Sequence, residues 1–153
     1  MCGIIGMISK HNIDILLNIL NGLKQLQNRG YDSAGISFNN FNSFETIKYA
    51  SNDEVNAITR LENNINSNIN NINSNNINIG IGHTRWATHG AKTDINSHPH
   101  VSYDNKVIIV HNGIIENYLE LKNELIKKGI KFVSETDTEV IVNLIAYYYD
   151  QTN

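Results

Sequence analysis

The sequence holds one cysteine, and it stands directly behind the initiator methionine in Met1-Cys2-Gly3-Ile4-Ile5-Gly6. A small second residue favours trimming of Met1, which would leave Cys2 as the N-terminus with a free α-amine beside its own thiol. An α-amine titrates near ~8 and a thiol near ~8.5, so a minority of each is deprotonated at neutral pH. Such an amine can relay the thiol's proton with no histidine involved. With Met1 retained, the Cys2 nitrogen is an amide that cannot act as a base, and the chain is a precursor. The plainer reading is a small buried cysteine in an N-terminal strand, and only residues further along can decide against it.

Other groups able to do chemistry cluster downstream. Five of the six histidines (His83, His89, His98, His100 and His111) fall between residues 83 and 111. A metal site is weighed and set aside. Neither His-Glu-x-x-His nor paired Cys-x-x-Cys occurs, and His83 and His89 are six apart. His98-Pro99-His100 reads as a proline-fixed loop corner, so neither metal nor other cofactor is expected. Arg85 offers a planar fork for a carboxylate, which the neighbouring indole of Trp86 could shield from water; a surface ion pair beside a core tryptophan is the alternative. Asn112-Gly113 is a common hairpin signal. An Asn amide and a Gly N–H presented together also make an oxyanion hole. Asp137, at a helix start, is either a capping-region carboxylate or an acceptor for a substrate ammonium.

These groups need elements to hold them. Cys2 to Ser9 reads as a strand. His11 to Asn28 reads as a helix with Leu16, Leu20 and Leu23 on one face and Leu26 extending it, stopped at Gly30. Ser33–Phe38 and Phe44–Ala50 are expected strands, and Ile77–His83 another, followed by a long loop from Thr84 to Pro99. Lys106–Val110 carries the apolar run Val107-Ile108-Ile109-Val110, expected to be covered on both faces. Asn117–Lys128 reads as a helix with Tyr118, Leu121 and Leu125 inward and Gly129 as its stop. Ile130–Val133 reads as a short strand. Thr136 and Glu139 have capping-box spacing for a helix through Tyr149, with Ile141, Leu144, Ile145 and Tyr148 as its expected inner face.

Residues 63–78 hold ten Asn, four Ile, two Ser and no charge. They read as a low-complexity surface insertion, flexible and without function, unable to bury enough apolar area to offset its ordering entropy. The chain has 153 residues, enough for one domain with a core, and 41% of them are hydrophobic. A net charge of −3 gives no sign of a nucleic-acid partner. No signal peptide or membrane span is visible, and the single cysteine points to a reducing, cytoplasmic setting. Alternating strands and helices indicate an α/β or α+β sheet covered by helices.

The motifs resemble those of the class II glutamine amidotransferases. They are Cys2-Gly3-Ile4-Ile5-Gly6; Arg29-Gly30-Tyr31-Asp32-Ser33-Ala34-Gly35; His83-Thr84-Arg85-Trp86-Ala87-Thr88-His89-Gly90; His98-Pro99-His100; His111-Asn112-Gly113-Ile114-Ile115-Glu116-Asn117; and Ser134-Glu135-Thr136-Asp137-Thr138-Glu139. They run from residue 2 to 139 in the family's order and are most similar to the glutaminase domains of the glutamine–fructose-6-phosphate aminotransferase branch. The resemblance implies an α+β N-terminal nucleophile hydrolase fold, a four-layer αββα sandwich of antiparallel sheets, here a partial glutaminase domain over 1–153, truncated at its C-terminus. It implies that Cys2 attacks the side-chain amide of L-glutamine and passes through a γ-glutamyl thioester, with Asn112 and Gly113 holding the oxyanion. Arg85 would take the substrate α-carboxylate and Asp137 its α-ammonium, with Thr88 and His89 adding polar contacts. Trp86 lies in the loop that closes over substrate, and Arg29 supports the nucleophile's surroundings. It further implies sugar isomerase domains that receive the ammonia, absent from this chain, and a homo-oligomeric full-length protein. Glutamine phosphoribosylpyrophosphate amidotransferase shares the same glutaminase chemistry and ranks second. A glutamine-sensing domain without catalysis and a metal-dependent hydrolase follow.

Overall fold

The computed structural model describes residues 2–11, 13–41, 43–68, 72, 77–86 and 91–152. The elements in chain order are β1 (Gly3–Ile8), α1 (Ile15–Leu26), β2 (Ser33–Asn40), β3 (Ser43–Ala50), α2 (Ala57–Asn68) and β4 (Ile79–Arg85). They are followed by β5 (His100–Val101), β6 (Ile108–Ile109), α3 (Tyr118–Lys127) and α4 (Asp137–Thr152). β1, β4, β2 and β3 lie side by side in that order in one antiparallel sheet, while β5 and β6 form a second antiparallel pair. Helices α1 and α2 cover one face of the large sheet, α4 backs the small one, and α3 packs on α4.

Strand alternation decides what each face carries. Ile5 lies opposite Gly82, and Gly82 opposite Ile36. Ile5, Ile36 and Phe38 therefore point to the helices and join Ile15, Ile19, Leu23 and Leu61 in the main core. Each fully buried aliphatic of this kind stabilises by roughly 1.5–3 kcal/mol. Glycine at 80 and 82 lets α1 come close: a Cβ on either would sit 2.7 Å from an Ile19 side-chain carbon. The opposite face of the sheet carries His83 and Arg85 of β4, with the Cys2 position in phase with them, and it looks toward the second sheet.

Several expected boundaries shift. Helix α1 begins at Ile15, not His11, because the Asp14 carboxylate caps it by accepting from the Leu17 amide at 2.9 Å. It gives way to a 3-10 turn over Gln27–Arg29, which Gly30 ends as expected. Residues 130–133 are not a strand: Glu139 draws their end inward, accepting from the Val133 and Ser134 amides at 2.8 and 2.6 Å. The run 107–110 is half-buried, with only Ile108–Ile109 in a strand, because its ladder partner is two residues long. Gly129, at φ +88°, stops α3 as read from the sequence.

The largest correction concerns the Asn-rich stretch. Its first six residues complete α2, and Ile65, Ile72 and Ile77 are buried in the main core, while 69–71 and 73–76 lie outside the described residues. Composition concealed a helical spacing, Ile58-Leu61-Ile65, that places an apolar stripe on the sheet while the asparagines face outward or sideways. In α4 the expected inner face is also displaced. Val142, Asn143 and Ala146 are buried, whereas Ile145 and Tyr148 are about half exposed. Polar groups take inner positions because loops satisfy them; the Asn143 Oδ1, for instance, accepts from the Tyr103 amide at 2.8 Å.

Candidate functional site

A cavity of about 790 Å³ opens where β1 begins and β4 ends, between the large sheet and the start of α4. Cys2, Arg29, Arg85, Trp86, Asn112, Gly113 and Asp137, all singled out from sequence, line it. Thr88 and His89 lie outside the described residues.

Each group reaches the cavity for a local reason. Cys2 precedes β1, whose first amide, Gly3 N–H, donates to Thr84 Oγ1 at 3.1 Å and ties the strand end to β4. The Cys2 Sγ accepts from the Trp86 amide at 3.2 Å. Arg85 ends β4 and is only 5% exposed, with its Nη1 3.5 Å from the Ala91 carbonyl. Burial pulls its guanidinium below the ordinary value while Cys2, Asp32 and Asp137 act the other way, and a guanidinium so placed stays charged. Trp86 is 43% exposed at the rim, its ring edge-on to Tyr31 with centroids 5.3 Å apart. Buried Asp32, beside them, pairs with Lys92 at 2.5 Å.

Asn112 leaves the small sheet without forming a hairpin turn; its Nδ2 donates to the Cys2 carbonyl at 3.3 Å and its Oδ1 meets His83 Nε2 at 2.9 Å. Asp137 is the first residue of α4, and its Oδ2 accepts from the Ile115 amide at 2.8 Å. The Ile115 amide lies outside α4, so this bond ties a loop to the helix start and does not cap the helix; the other oxygen, Oδ1, lies 3.5 Å from the Thr138 hydroxyl.

Sequence reasoning weighed His83, His98, His100 and His111 as metal ligands, set that aside, and gave them no role beyond a loop corner at His98-Pro99-His100. Their rings instead form a buried column beneath the cavity: His83 and His98 stack with centroids 4.2 Å apart, and His98 and His100 meet edge-on at 4.7 Å. His98 and His111 both reach the Thr138 hydroxyl, at 3.0 and 3.3 Å, and His100 reaches the Thr136 hydroxyl at 3.0 Å. Burial, reinforced by Arg85, holds His83 down at about 4; burial, reinforced by Lys48 and Arg85, holds His100 at about 3; His98 is lower still than ordinary for the same reasons. All three are therefore neutral at pH 7. The signal for His83 was available, two residues before Arg85 and hence on the same strand face.

Beneath the column, Lys48 of β3 donates to the carbonyls of Ile95, Ser97 and Pro99 at 3.2, 2.8 and 3.1 Å. That contact straps the loop bearing His98 to the large sheet. The His98–Pro99 peptide is cis. No helix among the described residues is long and apolar enough to cross a membrane.

Comparison with known proteins identifies the family and the fold. The chain is 47% identical over 150 residues to the glutamine–fructose-6-phosphate aminotransferase (isomerizing) of Clostridium acetobutylicum, covering 98% of this chain and 23% of the relative. It is 49% identical over 150 residues to that of Caldanaerobacter subterraneus subsp. tengcongensis, with the same coverage, and 46% over 151 residues to that of Staphylococcus aureus strain Mu50, covering 99% and 23%. The chain therefore spans about a quarter of the length of these relatives. Among solved structures it is similar to the B. subtilis glutamine phosphoribosylpyrophosphate amidotransferase complexed with ADP and GMP. That match has a TM-score of 0.66 at 26% identity, covering 94% of this chain and 29% of that one. A structure of the allosteric regulatory enzyme of purine biosynthesis matches with a TM-score of 0.65 at 25% identity, covering 90% and 28%. The two antiparallel sheets between helical layers are thus those of the N-terminal nucleophile amidotransferases. With residues 47–152 matched by the glutamine amidotransferase domain family, the chain belongs to that family.

Proposed function

We propose that this chain hydrolyses the side-chain amide of L-glutamine, with Cys2 as nucleophile once Met1 has been removed. The observation that carries the reading is the convergence of Cys2, Arg85, Asn112–Gly113 and Asp137 on one cavity. Arg85 takes the α-carboxylate through its fork and Asp137 takes the α-ammonium, which leaves the amide end of the substrate facing Cys2. The free α-amine of Cys2 accepts the thiol proton as sulfur attacks the amide carbon. The Asn112 amide and the Gly113 N–H stabilise the tetrahedral oxyanion, each donor contributing roughly 3 kcal/mol in comparable sites. The C–N bond then breaks, the amine returns the proton to the departing nitrogen, and ammonia leaves. Water attacks the γ-glutamyl thioester and releases glutamate and the thiol. Thr88 and His89 add polar contacts to the substrate, Trp86 closes the rim, and Arg29 supports the wall beside Cys2.

The ammonia feeds a glucosamine-6-phosphate synthesis in a cytoplasmic, oligomeric full-length protein whose sugar isomerase domains lie outside this chain. Identities of 46–49% to the isomerizing aminotransferases support that acceptor. The 26% identity to the phosphoribosylpyrophosphate enzyme supports the shared glutaminase chemistry and leaves that acceptor second.

The test is glutamate release from glutamine by wild-type protein and by Cys2→Ala, with the mass of the N-terminal peptide recorded. Activity that requires an unblocked N-terminal cysteine and vanishes in the variant is expected. Equal turnover in Cys2→Ala refutes the mechanism, and tight glutamine binding with no glutamate release points to a sensor.

A further inference from the structure

We propose that His83 is a positioning residue that fixes which way round the Asn112 amide sits, keeping its NH2 group toward Cys2. The inference rests on the assignment of Asn112 to the oxyanion. A primary amide has nearly the same shape after a 180° flip, so its environment must choose between an NH2 and a carbonyl facing the reacting centre. Asn112 is exposed at the cavity wall, where packing alone does not choose. His83, in contrast, is 1% exposed and has its Nε2 2.9 Å from the Asn112 Oδ1. That oxygen only accepts, so the bond requires a hydrogen on Nε2.

The other side of the amide agrees. Asn112 Nδ2 donates to the Cys2 carbonyl at 3.3 Å. After a flip, an amide oxygen would face the Cys2 carbonyl oxygen and an NH2 would face the His83 N–H, so both contacts would turn repulsive. The remaining His83 nitrogen, Nδ1, is buried and makes no hydrogen bond among the described residues, as suits a bare lone pair on a ring stacked against His98 at 4.2 Å. Burial keeps the imidazole neutral against the opposite pull of its contacts with Asn112 and the His111 backbone, so one ring nitrogen carries the hydrogen and the contact with the Asn112 oxygen favours Nε2. Through this bond the buried column presents the His83 N–H to the proposed oxyanion site, while Arg85 and Asp137 hold the far end of the substrate independently.

The test separates turnover from binding. His83→Leu is expected to lower kcat for glutamine hydrolysis by roughly 10–100-fold, up to the lower edge of the roughly 100–1,000-fold cost of losing an oxyanion donor outright, and to leave KM within about threefold. His83→Gln, whose side-chain NH2 can occupy the Nε2 position, is expected to recover kcat to within a few-fold of wild type. Adding His83→Leu to Asn112→Ala is expected to cost nothing further, because the two act as one unit. Nitrogen-detected NMR of the unaltered protein should find the Nε2–H tautomer of His83, whatever the variants do. An Nδ1–H tautomer, an unchanged kcat in His83→Leu, or a His83→Gln as slow as His83→Leu overturns the inference. Wild-type kcat in Asn112→Ala overturns the oxyanion assignment itself. A slow Asn112→Ala beside a normal His83→Leu rejects only the role of His83.

Discussion

Acidification from pH 7 to pH 5 is expected to destabilise this fold far more than surface titration would. The cause is the buried column of His83, His98 and His100, each 6% exposed or less. Burial holds His83 at about 4 and His100 at about 3, with His98 also well depressed. In the unfolded chain each returns to about 6.5. Between those values the unfolded state binds more protons than the native one, so stability is complete above pH 6.5 and falls as pH drops toward 4. A histidine that stays neutral in the fold contributes a loss of about 1.8 kcal/mol between pH 7 and pH 5. Three such groups give about 5 kcal/mol as a ceiling, a large part of the roughly 5–15 kcal/mol that holds a typical domain. Urea unfolding followed by tryptophan fluorescence reads this directly. With a slope near ~2 kcal/mol per molar, the midpoint should fall at pH 5, by at most about 2.5 M. His100→Gln should remove about a third of the drop. Equal midpoints at pH 7 and pH 5 would refute the claim that the column is buried and neutral, and an undiminished drop in His100→Gln would remove that residue from the account.

Three further outcomes follow from particular contacts. Leu61→Ala, at a fully buried site of α2, should cost about 3 kcal/mol, whereas exposed Asn66→Ala should stay within about 0.5 kcal/mol; comparable melting temperatures for the two would mean that α2 does not pack as described. Gly35→Ala would set a Cβ 2.2 Å from the His98 carbonyl and 2.6 Å from the Lys48 Cβ. Backbone must then yield, for about 2–3 kcal/mol in thermal denaturation, and a variant as stable as wild type would show that the sheets separate freely there. Arg85→Lys, which trades a fork for a point charge, should raise the KM for glutamine by roughly 10–100-fold with kcat much less affected; an unchanged KM removes Arg85 from the proposed carboxylate clamp.

What the sequence disclosed follows from how local each signal is. Strands such as Gly3–Ile8 and Ile79–Arg85 are visible because alternation and β-branched residues act over a few positions, and the cavity-lining residues are visible because they sit in short, ordered motifs. Helix α2 was hidden by its own asparagines: Ile58, Leu61 and Ile65 carry the periodicity, but the composition around them argued for a loop. The buried face of α4 was misjudged because aliphatic residues were assumed to point inward. Asn143 is buried there by a hydrogen bond to the distant Tyr103 amide, a contact no local pattern encodes. The histidine column is likewise non-local. Its members lie 15 and 2 residues apart in sequence, and only the packing of the strand that holds His83 against the loop that holds His98 turns metal-like chemistry into stacked neutral rings.

The Lys48 ammonium, fastened to three carbonyls of the 95–99 loop, sets a dimension as well as a contact. Arg85 belongs to one sheet and Asp137 to the helix behind the other, so the gap between them is a gauge read across the seam of the sandwich. Sliding of one layer over the other would change that gauge at once, and the lysine rivet, with His98 bonded onward to Thr138 beside Asp137, resists such shear. Discrimination by ligand length, between one zwitterion and its homologue a methylene longer, would then be a property of how rigidly two sheets are joined.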